Sequence, residues 1–195
     1  MKTMTKIFAF IFLIGFISCN GQMKPNKCLK NNYADFYSKR KQIDLEEFKP
    51  GLSDSQLDSL EKKLEIKLPA SYKEFLKCCG GFWAFGGTVQ LDSQHPFKHD
   101  FASFDSLTEQ QQKIVKQRGG IWPPPSNGMI CFGEFFMEAD GDQVLFDIDK
   151  GLLNGEYPVY YYSHETNPPT VRKIADSFGQ WLSEFPDYKE FETED

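Results

Sequence analysis

Residues 68–81 read LPASYKEFLKCCGG, and this short segment holds a helix start, an apolar face and a helix stop. Pro69 suits the first turn of a helix, where its missing N–H is not needed. The apolar residues recur at positions i, i+3, i+4 and i+7: Tyr72, Phe75, Leu76 and Cys79. This spacing puts them on one stripe of an α-helix that other elements have to cover. Gly80 and Gly81 then suit the left-handed conformation that ends many helices.

Capping-box patterns predict the starts of two more helices. The first pairs Ser53 with Gln56, and leucines recur along the helix that follows: Leu57, Leu60 and Leu64. The second pairs Ser106 with Glu109, and its polar helix is expected to end near Gln117. A shorter helix is predicted from Tyr33 to about Gln42.

Four segments are predicted as strands: Thr88 to Leu91, Met129 to Phe132, Gln143 to Ile148 and Pro158 to Tyr162. Phe48 to Gly51 is interpreted as a turn. Apolar spacing near the end of the chain predicts a closing helix: Ile174, Phe178, Trp181, Leu182 and Phe185. This order of elements predicts an α+β domain with a mainly antiparallel sheet packed by helices.

The order Leu-Pro, Tyr, Phe-Leu, Gly-Gly in residues 68–81 resembles the Smi/Knr, or SUKH, superfamily, whose members share a helix of this form. Further landmarks of that superfamily follow in order: Phe132-Gly133, Leu145-Phe146-Asp147, Tyr160-Tyr161-Tyr162-Ser163-His164 and Ala175-Asp176-Ser177-Phe178. The resemblance covers roughly residues 45 to 186 and implies a single SUKH-like domain. One departure is Cys79, where members of the superfamily often have Asn.

The resemblance also implies a function, because many bacterial members are immunity proteins that bind and neutralise a cognate toxin. It leads us to expect a non-enzymatic protein that occludes a toxin partner. The alternative is an envelope lipoprotein that acts as a scaffold or ligand-binding module, in keeping with the superfamily's fungal regulators of cell-wall synthesis. Five residues in predicted loops are candidates for partner binding: Trp83, Phe85, Glu138, Asp140 and Asp142.

The aromatic segment that follows the Gly pair has two interpretations. Phe82, Trp83 and Phe85 either cover the core with their large apolar area or form an exposed patch that anchors a partner. The sequence leaves both open.

The charge balance disfavours nucleic acid as a partner. The chain of 195 residues, long enough for one full core, carries a net charge of −6. Removing residues 1–18 would take away Lys2 and Lys6, so the charge becomes −6 − 2 = −8. Proteins that bind nucleic acid normally present a basic surface to phosphate, whereas an acidic surface suits a basic protein partner.

The amino terminus has the pattern of a signal peptide. Lys2 and Lys6 flank an apolar run, Ile7 to Ile17, that is too short to span a membrane as an ordinary helix. Ser18 and Cys19 follow, as at a lipoprotein cleavage site, so Cys19 is the predicted lipidation site. The predicted organisation is then a signal peptide, a tether, the SUKH domain and an acidic tail: residues 1–18, 19–32, 33–186 and 187–195.

This pattern predicts a protein anchored by lipid to a bacterial envelope membrane and facing outside the cytoplasm, or a cytoplasmic protein if the signal is not used. An exported protein can form disulfides. The four remaining cysteines allow three pairings, and the sequence does not choose among them: Cys28, Cys78, Cys79 and Cys131. Cys79 lies on the apolar stripe and is expected to be a small buried hydrophobe.

Two clusters have residue types that bind metals. His95 and His99 lie near Asp92 and Asp100, but the motif lacks the Glu that follows the first His in zinc proteases. Residues 140–142 read Asp-Gly-Asp, which is a common hairpin turn and lacks the next oxygen ligand of a calcium loop. We therefore predict no catalytic residue, metal or cofactor, and a metal-dependent enzyme is a third hypothesis.

Overall fold

The computed structural model describes residues 24–85, 89–92, 96–99, 107–117, 128–135, 141–149, 151–163, 167 and 169–187. The helices are Pro25–Asn32 (α1), Ala34–Ser38 (α2), Asp54–Leu64 (α3), Ala70–Cys78 (α4), Glu109–Gln117 (α5) and Phe178–Glu184 (α6), with a 3-10 turn at Phe185–Asp187. The strands are Glu46–Pro50 (β1), Cys79–Ala84 (β2), Val89–Asp92 (β3), Phe97–His99 (β4), Met129–Phe135 (β5), Asp142–Asp147 (β6), Val159–Ser163 (β7) and Thr170–Ala175 (β8).

All described strands belong to one sheet. Its order is β1-β2-β3-β5-β6-β7-β8, β4 also pairs with β5, and every pairing is antiparallel. Helices α1, α2, α3, α4 and α6 contribute buried residues to the same core as one face of this sheet. The predicted α+β class with an antiparallel sheet is confirmed.

Helix α4 lies at the centre of the core, as its apolar stripe predicts. Tyr72, Phe75 and Leu76 are fully buried. The Tyr72 ring lies 4.9 Å from that of Phe178 in α6 and 5.2 Å from that of Phe146 in β6. Aromatic pairs at these separations add to the free energy of burial. The stripe therefore joins the sheet to the closing helix.

The prediction that Gly80 and Gly81 end helix α4 in a left-handed conformation is wrong. Helix α4 ends at Cys78, and β2 begins at the next residue and contains both glycines. A Cβ atom on Gly80 would lie 2.3 Å from the carbonyl oxygen of Pro50 in β1. Gly80 is therefore required for the close approach of β1 to β2, and not for a left-handed cap.

Helix α3 begins as predicted. Ser53 caps it in a capping box with Gln56, and its three leucines are buried. At its far end the buried carboxylate of Glu61 accepts hydrogen bonds from Lys67 Nζ at 2.8 Å and from the Leu68 N–H at 2.9 Å. Lys73 Nζ lies 3.1 Å from the same carboxylate. Glu61 thus holds the α3–α4 connection against α4.

The predicted tether is wrong for residues 25–32. These residues form α1, whose Cys28 and Leu29 side chains are buried against the core. Cys28 is disulfide-bonded to Cys78 at the end of α4, while Cys79 and Cys131 are free and buried. Polar composition misled the prediction because only one face of this short helix is apolar.

The amino-terminal predictions lie outside the described residues. They are the signal peptide, residues 1–18, and the lipidated Cys19. Within the part of the chain that the structure describes, every helix falls short of the length and apolarity needed to cross a membrane.

Three further sequence predictions differ from the structure. Residues 48–50 belong to β1, because they pair with β2, and do not form a turn. Thr108 and Gln111 cap α5 in place of Ser106 and Glu109. Ile174 lies in β8, a strand that was not predicted, so the closing helix begins only after Ser177.

The disulfide is expected to stabilise the domain measurably. Replacing Cys28 and Cys78 together by Ala should lower the free energy of unfolding by about 2–4 kcal/mol, because the bridge closes a long loop in the unfolded chain. Urea unfolding with and without dithiothreitol measures this. The reductant should act on the natural chain and leave the double variant unchanged; an identical curve for the natural chain in both conditions would contradict the prediction.

Loss of the hydroxyl group should affect the free energy of unfolding differently at two tyrosines. The Tyr72 hydroxyl is buried with no hydrogen-bond partner among the described residues, whereas that of Tyr161 donates to the buried carboxylate of Asp142. Tyr72→Phe should leave the free energy of unfolding equal or up to about 1 kcal/mol higher, and Tyr161→Phe should lower it by about 1–3 kcal/mol. Urea unfolding of both variants checks this, and equal losses would refute it.

Glu61 should make stability depend on pH. Burial alone would raise the pKa of Glu61, but the hydrogen bonds from Lys67, Leu68 and Lys73 outweigh it and hold the pKa below the ordinary 4.5. Because the pKa of Glu61 is lowered in the folded protein, its stabilising effect is complete above the ordinary pKa of 4.5. The effect is lost as the pH falls from there through the lowered pKa of the folded state. Glu61→Gln should lower the free energy of unfolding by about 1–3 kcal/mol at pH 7.

The difference between the natural chain and Glu61→Gln should narrow as the pH falls from about 4.5 towards 3. Urea unfolding over that range measures it. Glu74→Gln, which changes an exposed carboxylate on α4, is the control and should show little difference at any pH. A Glu61→Gln deficit that stays constant down to pH 3 would show that the charge is not responsible.

Candidate functional site

The strand register places one residue from each of seven strands in a single row across the sheet. Each member is the pairing partner of the next: Glu46, Trp83, Gln90, Glu134, Gln143, Tyr162 and Val171. We call this set the outward row. It is the longest continuous arrangement of cross-strand neighbours that the described pairings give, and it includes polar and aromatic residues on adjacent strands.

The outward row lies on the sheet face opposite helices α1–α4 and α6. Successive side chains in a strand point to opposite faces. The residues adjacent to Trp83, Gln143 and Tyr162 in their strands are buried in the core under the helices: Phe82, Val144 and Tyr161. Trp83, Gln143 and Tyr162 themselves therefore point outward. They lie next to a second, smaller apolar cluster on that face: Met129, Cys131, Leu145, Tyr160 and Val171.

An irregularity in β5 brings Glu134 into the row. Cys131 pairs with Leu145, but the register then shifts, so that Gly133 pairs with Val144 and Glu134 pairs with Gln143. An extra residue of this kind turns the following side chains to the other face. The Glu134 carboxylate consequently lies beside Gln143, with 3.5 Å between Glu134 Oε1 and Gln143 Nε2.

One end of the sheet is acidic. The C-terminal ends of β2 and β5 and the N-terminal ends of β3 and β6 meet there, as shown by the pairings of Ala84 with Val89, Val89 with Phe135 and Phe135 with Asp142. We call this edge the acidic end. Glu134 and Asp142 lie at it, and the sequence between β5 and β6 adds Glu138 and Asp140.

The two aromatic candidates have different environments at this end. Trp83 is half-buried on the outward face of β2. Phe85 follows β2 with a φ of 51°, its N–H donates to the Ile43 carbonyl at 2.6 Å, and its ring packs edge-on to Phe185 at 5.6 Å. Phe82 and Phe85 therefore cover the core, whereas Trp83 is partly open to solvent, and a partner-binding role of Trp83 stays a prediction.

The acidic candidates are also divided. Glu138 and Asp140 lie outside the described residues. The loop location expected for Asp142 is wrong, because Asp142 is the first residue of β6 and only 1% exposed. The Tyr161 hydroxyl donates to its carboxylate. Asp142 is therefore a buried acceptor that holds β6 to β7, and a charge reversal there would disturb the fold.

Three residues of the site were not selected from the sequence: Glu134, Gln143 and Tyr162. The alternation of β6 and β7 carries a signal for two of them, because Gln143 and Tyr162 alternate with core residues on the same strands. Nothing in the sequence indicates the register shift in β5. Without that shift, Glu134 would be expected to point into the core.

Burial and charge keep the tyrosines of this region protonated. Burial raises the pKa of Tyr162, and the negative charge of Asp142 raises it further. Burial also raises the pKa of Tyr161, together with the hydrogen bond to Asp142. Both hydroxyl groups consequently remain neutral at physiological pH. The Asp142 charge reaches the outward face as well as the core.

Metal binding and nucleophilic catalysis find no support among the described residues. No group of three His, Cys, Asp or Glu side chains that could hold a metal ion occurs in the part of the chain that the structure describes. His95, Asp100 and Asp140, which belong to the two metal hypotheses, lie outside it. Burial raises the pKa of Cys79 to about 12, so this thiol is not a reactive nucleophile at neutral pH.

The opposite end of the sheet has a different character. Leu152 and Leu153 are 37% and 58% exposed in the connection between β6 and β7. This connection is held to α4, because Glu156 accepts hydrogen bonds from the Ser71 N–H at 2.8 Å and the Ser71 hydroxyl at 2.6 Å. It forms an exposed apolar tip remote from the acidic end.

Comparison with known proteins agrees with this architecture. A search of curated proteins found no match to the chain. The model of the SMI1 / KNR4 family (SUKH-1) matches residues 51–184, which include α3, α4, the outward row from Trp83 onward and α6. A match over more than half of the sequence shows that the chain belongs to the SMI1 / KNR4 family (SUKH-1).

Proposed function

We propose that this protein is an immunity protein that binds a cognate bacterial toxin and neutralises it by occlusion. The family to which it belongs is known for immunity proteins and is generally non-enzymatic. The observation that carries the proposal is the outward row, in which the partly exposed Glu134 carboxylate lies between half-buried Trp83 and Tyr162 on the sheet face opposite α4 and α6. Aromatic side chains with a polar border are typical of the sites that anchor protein partners.

The acidic charge of this protein also supports a toxin as its partner. The acidic end has the partly exposed Glu134, the sequence of the β5–β6 connection adds Glu138 and Asp140, and the whole chain has a net charge of −6. An acidic surface attracts a basic one over long distances and raises the association rate. A toxin whose catalytic cleft is basic is the partner that fits this surface, and covering the cleft requires no chemistry from this protein.

The disulfide supports a location outside the cytoplasm. Disulfides form and persist in oxidising compartments, and are rare in the reducing cytoplasm. The Cys28–Cys78 bridge lies between α1 and the central helix. Together with the signal-peptide pattern and Cys19, it leads us to place the protein outside the cytoplasm, held by lipid to a bacterial envelope membrane.

The first test is a pull-down with the chain from residue 24 onward, against the source cell and the proteins encoded beside it. A toxin domain retained in stoichiometric amounts would support immunity. Retention of envelope proteins or cell-wall fragments alone would contradict it and favour a scaffold role in the envelope.

Charge reversal at the acidic end should slow toxin capture. Glu138→Lys combined with Asp140→Lys should lower the association rate with the retained toxin at least about tenfold at low salt, with a smaller effect at high salt. Surface-based binding kinetics at two salt concentrations measure this. Leu152→Ser with Leu153→Ser changes the opposite end and should leave the rate unchanged; the reverse pattern would locate the interface at the apolar tip.

A further inference from the structure

Gln143 is a buried amide with an unused acceptor. Only 7% of the surface of Gln143 is exposed to solvent. Its Nε2 lies 3.5 Å from the Glu134 carboxylate, and its Oε1 has no hydrogen-bond partner among the described residues. A buried polar atom without a partner costs folding free energy. Such an atom in a native structure calls for an explanation, and a ligand is one.

The orientation of the amide follows from its neighbour. The two ends of a glutamine amide have opposite hydrogen-bonding character, so the end facing a carboxylate must be the NH₂ group. Exchanging the two ends would put Oε1 against Glu134 and make two acceptors repel. The free acceptor is therefore a property of the site, fixed by Glu134.

We infer that Glu134 and Gln143 bind the guanidinium group of an arginine side chain presented by the protein partner. The inference rests on the proposed function for the identity of that partner and adds the contact that recognises it. Glu134 supplies a negative charge and Gln143 supplies a neutral acceptor on the adjacent strand. We call these two residues the acceptor pair.

The acceptor pair suits a guanidinium better than other ligands. A guanidinium has five N–H donors and no acceptor, so it can donate to the carboxylate and to the amide oxygen together. An anion would be repelled by Glu134. A neutral donor would satisfy Gln143 but leave the charge of Glu134 without a counter-charge.

Tyr162 completes the site on the third strand. It pairs with Gln143 and is half-buried on the outward face. A guanidinium stacks favourably on an aromatic ring.

The test uses the full chain in detergent micelles, labelled with ¹⁵N-tyrosine and ¹⁵N-glutamine. N-acetyl-arginine amide is the probe, and N-acetyl-citrulline amide, which has nearly the same shape without the charge, is its matched control. The arginine probe should shift the Gln143 and Tyr162 amide signals saturably, with a dissociation constant on the order of 1 mM. The citrulline probe should bind at least about tenfold more weakly.

Two variants distinguish a binding role of the acceptor pair from a purely structural role. Glu134→Gln should weaken the arginine probe at least about tenfold, whereas Glu74→Gln on α4 should not. Gln143→Leu should abolish the Tyr162 shift while raising the midpoint temperature by about 2–4 °C, because it removes an unpaired buried acceptor. A purely structural Gln143 would instead lower the midpoint. Equal shifts with both probes, or no saturable shift, would overturn the inference.

Failure of this inference is distinguishable from failure of the proposed function. Capture of a toxin by a protein that ignores the arginine probe would leave immunity standing and remove the acceptor pair from the interface. Saturable binding of the arginine probe by a protein that captures no toxin would support the site and contradict the immunity role.

Discussion

The fold depends on the absence of a loop between α4 and β2. The last helical residue, Cys78, and the first strand residue, Cys79, are adjacent, so the central helix has to lie directly against the sheet that it starts. Its final carbonyl groups need other donors, and the chain before α3 supplies one: the Leu52 N–H donates to the Leu76 carbonyl at 2.8 Å. A Cβ atom on Gly51 would lie 2.0 Å from the Lys77 carbonyl oxygen, so this crossing also requires glycine.

The two faces of the sheet have different environments, because the helix that ends at this junction covers only one of them. Because α4 and α6 cover one face with a dense set of aromatic contacts, that face is a core and is closed to partners. The other face carries a smaller apolar cluster, which supports the outward row without burying all of it. Polar residues that would be costly under the helices, such as Glu134, are tolerated there because they retain contact with water.

Periodicity in the sequence could predict the core, but not the junctions or the site. The stripe of Tyr72, Phe75 and Leu76 and the capping box at Ser53 depend on neighbours a few residues away, so the local sequence is sufficient. The role of Gly80 depends on Pro50, and that of Glu134 on a register shift in β5. Both are contacts between strands distant in sequence, which no local pattern specifies. The same reason explains why β8 and the helix formed by residues 25–32 were missed.

Two unpaired polar atoms show how a packing compromise differs from a binding site. The Tyr72 hydroxyl is buried, and its ring packs against those of Phe132, Phe146 and Phe178 in the core. A ligand could therefore reach this hydroxyl only by opening the core. Gln143 Oε1 also has no hydrogen-bond partner among the residues that the structure describes, but both of its neighbours along the outward row, Glu134 and Tyr162, are partly exposed. Gln143 Oε1 is itself buried, but rearrangement of these two partly exposed neighbours, rather than opening of the core, would let an incoming donor reach it. The free energy that folding leaves unrecovered at this atom then becomes available to binding.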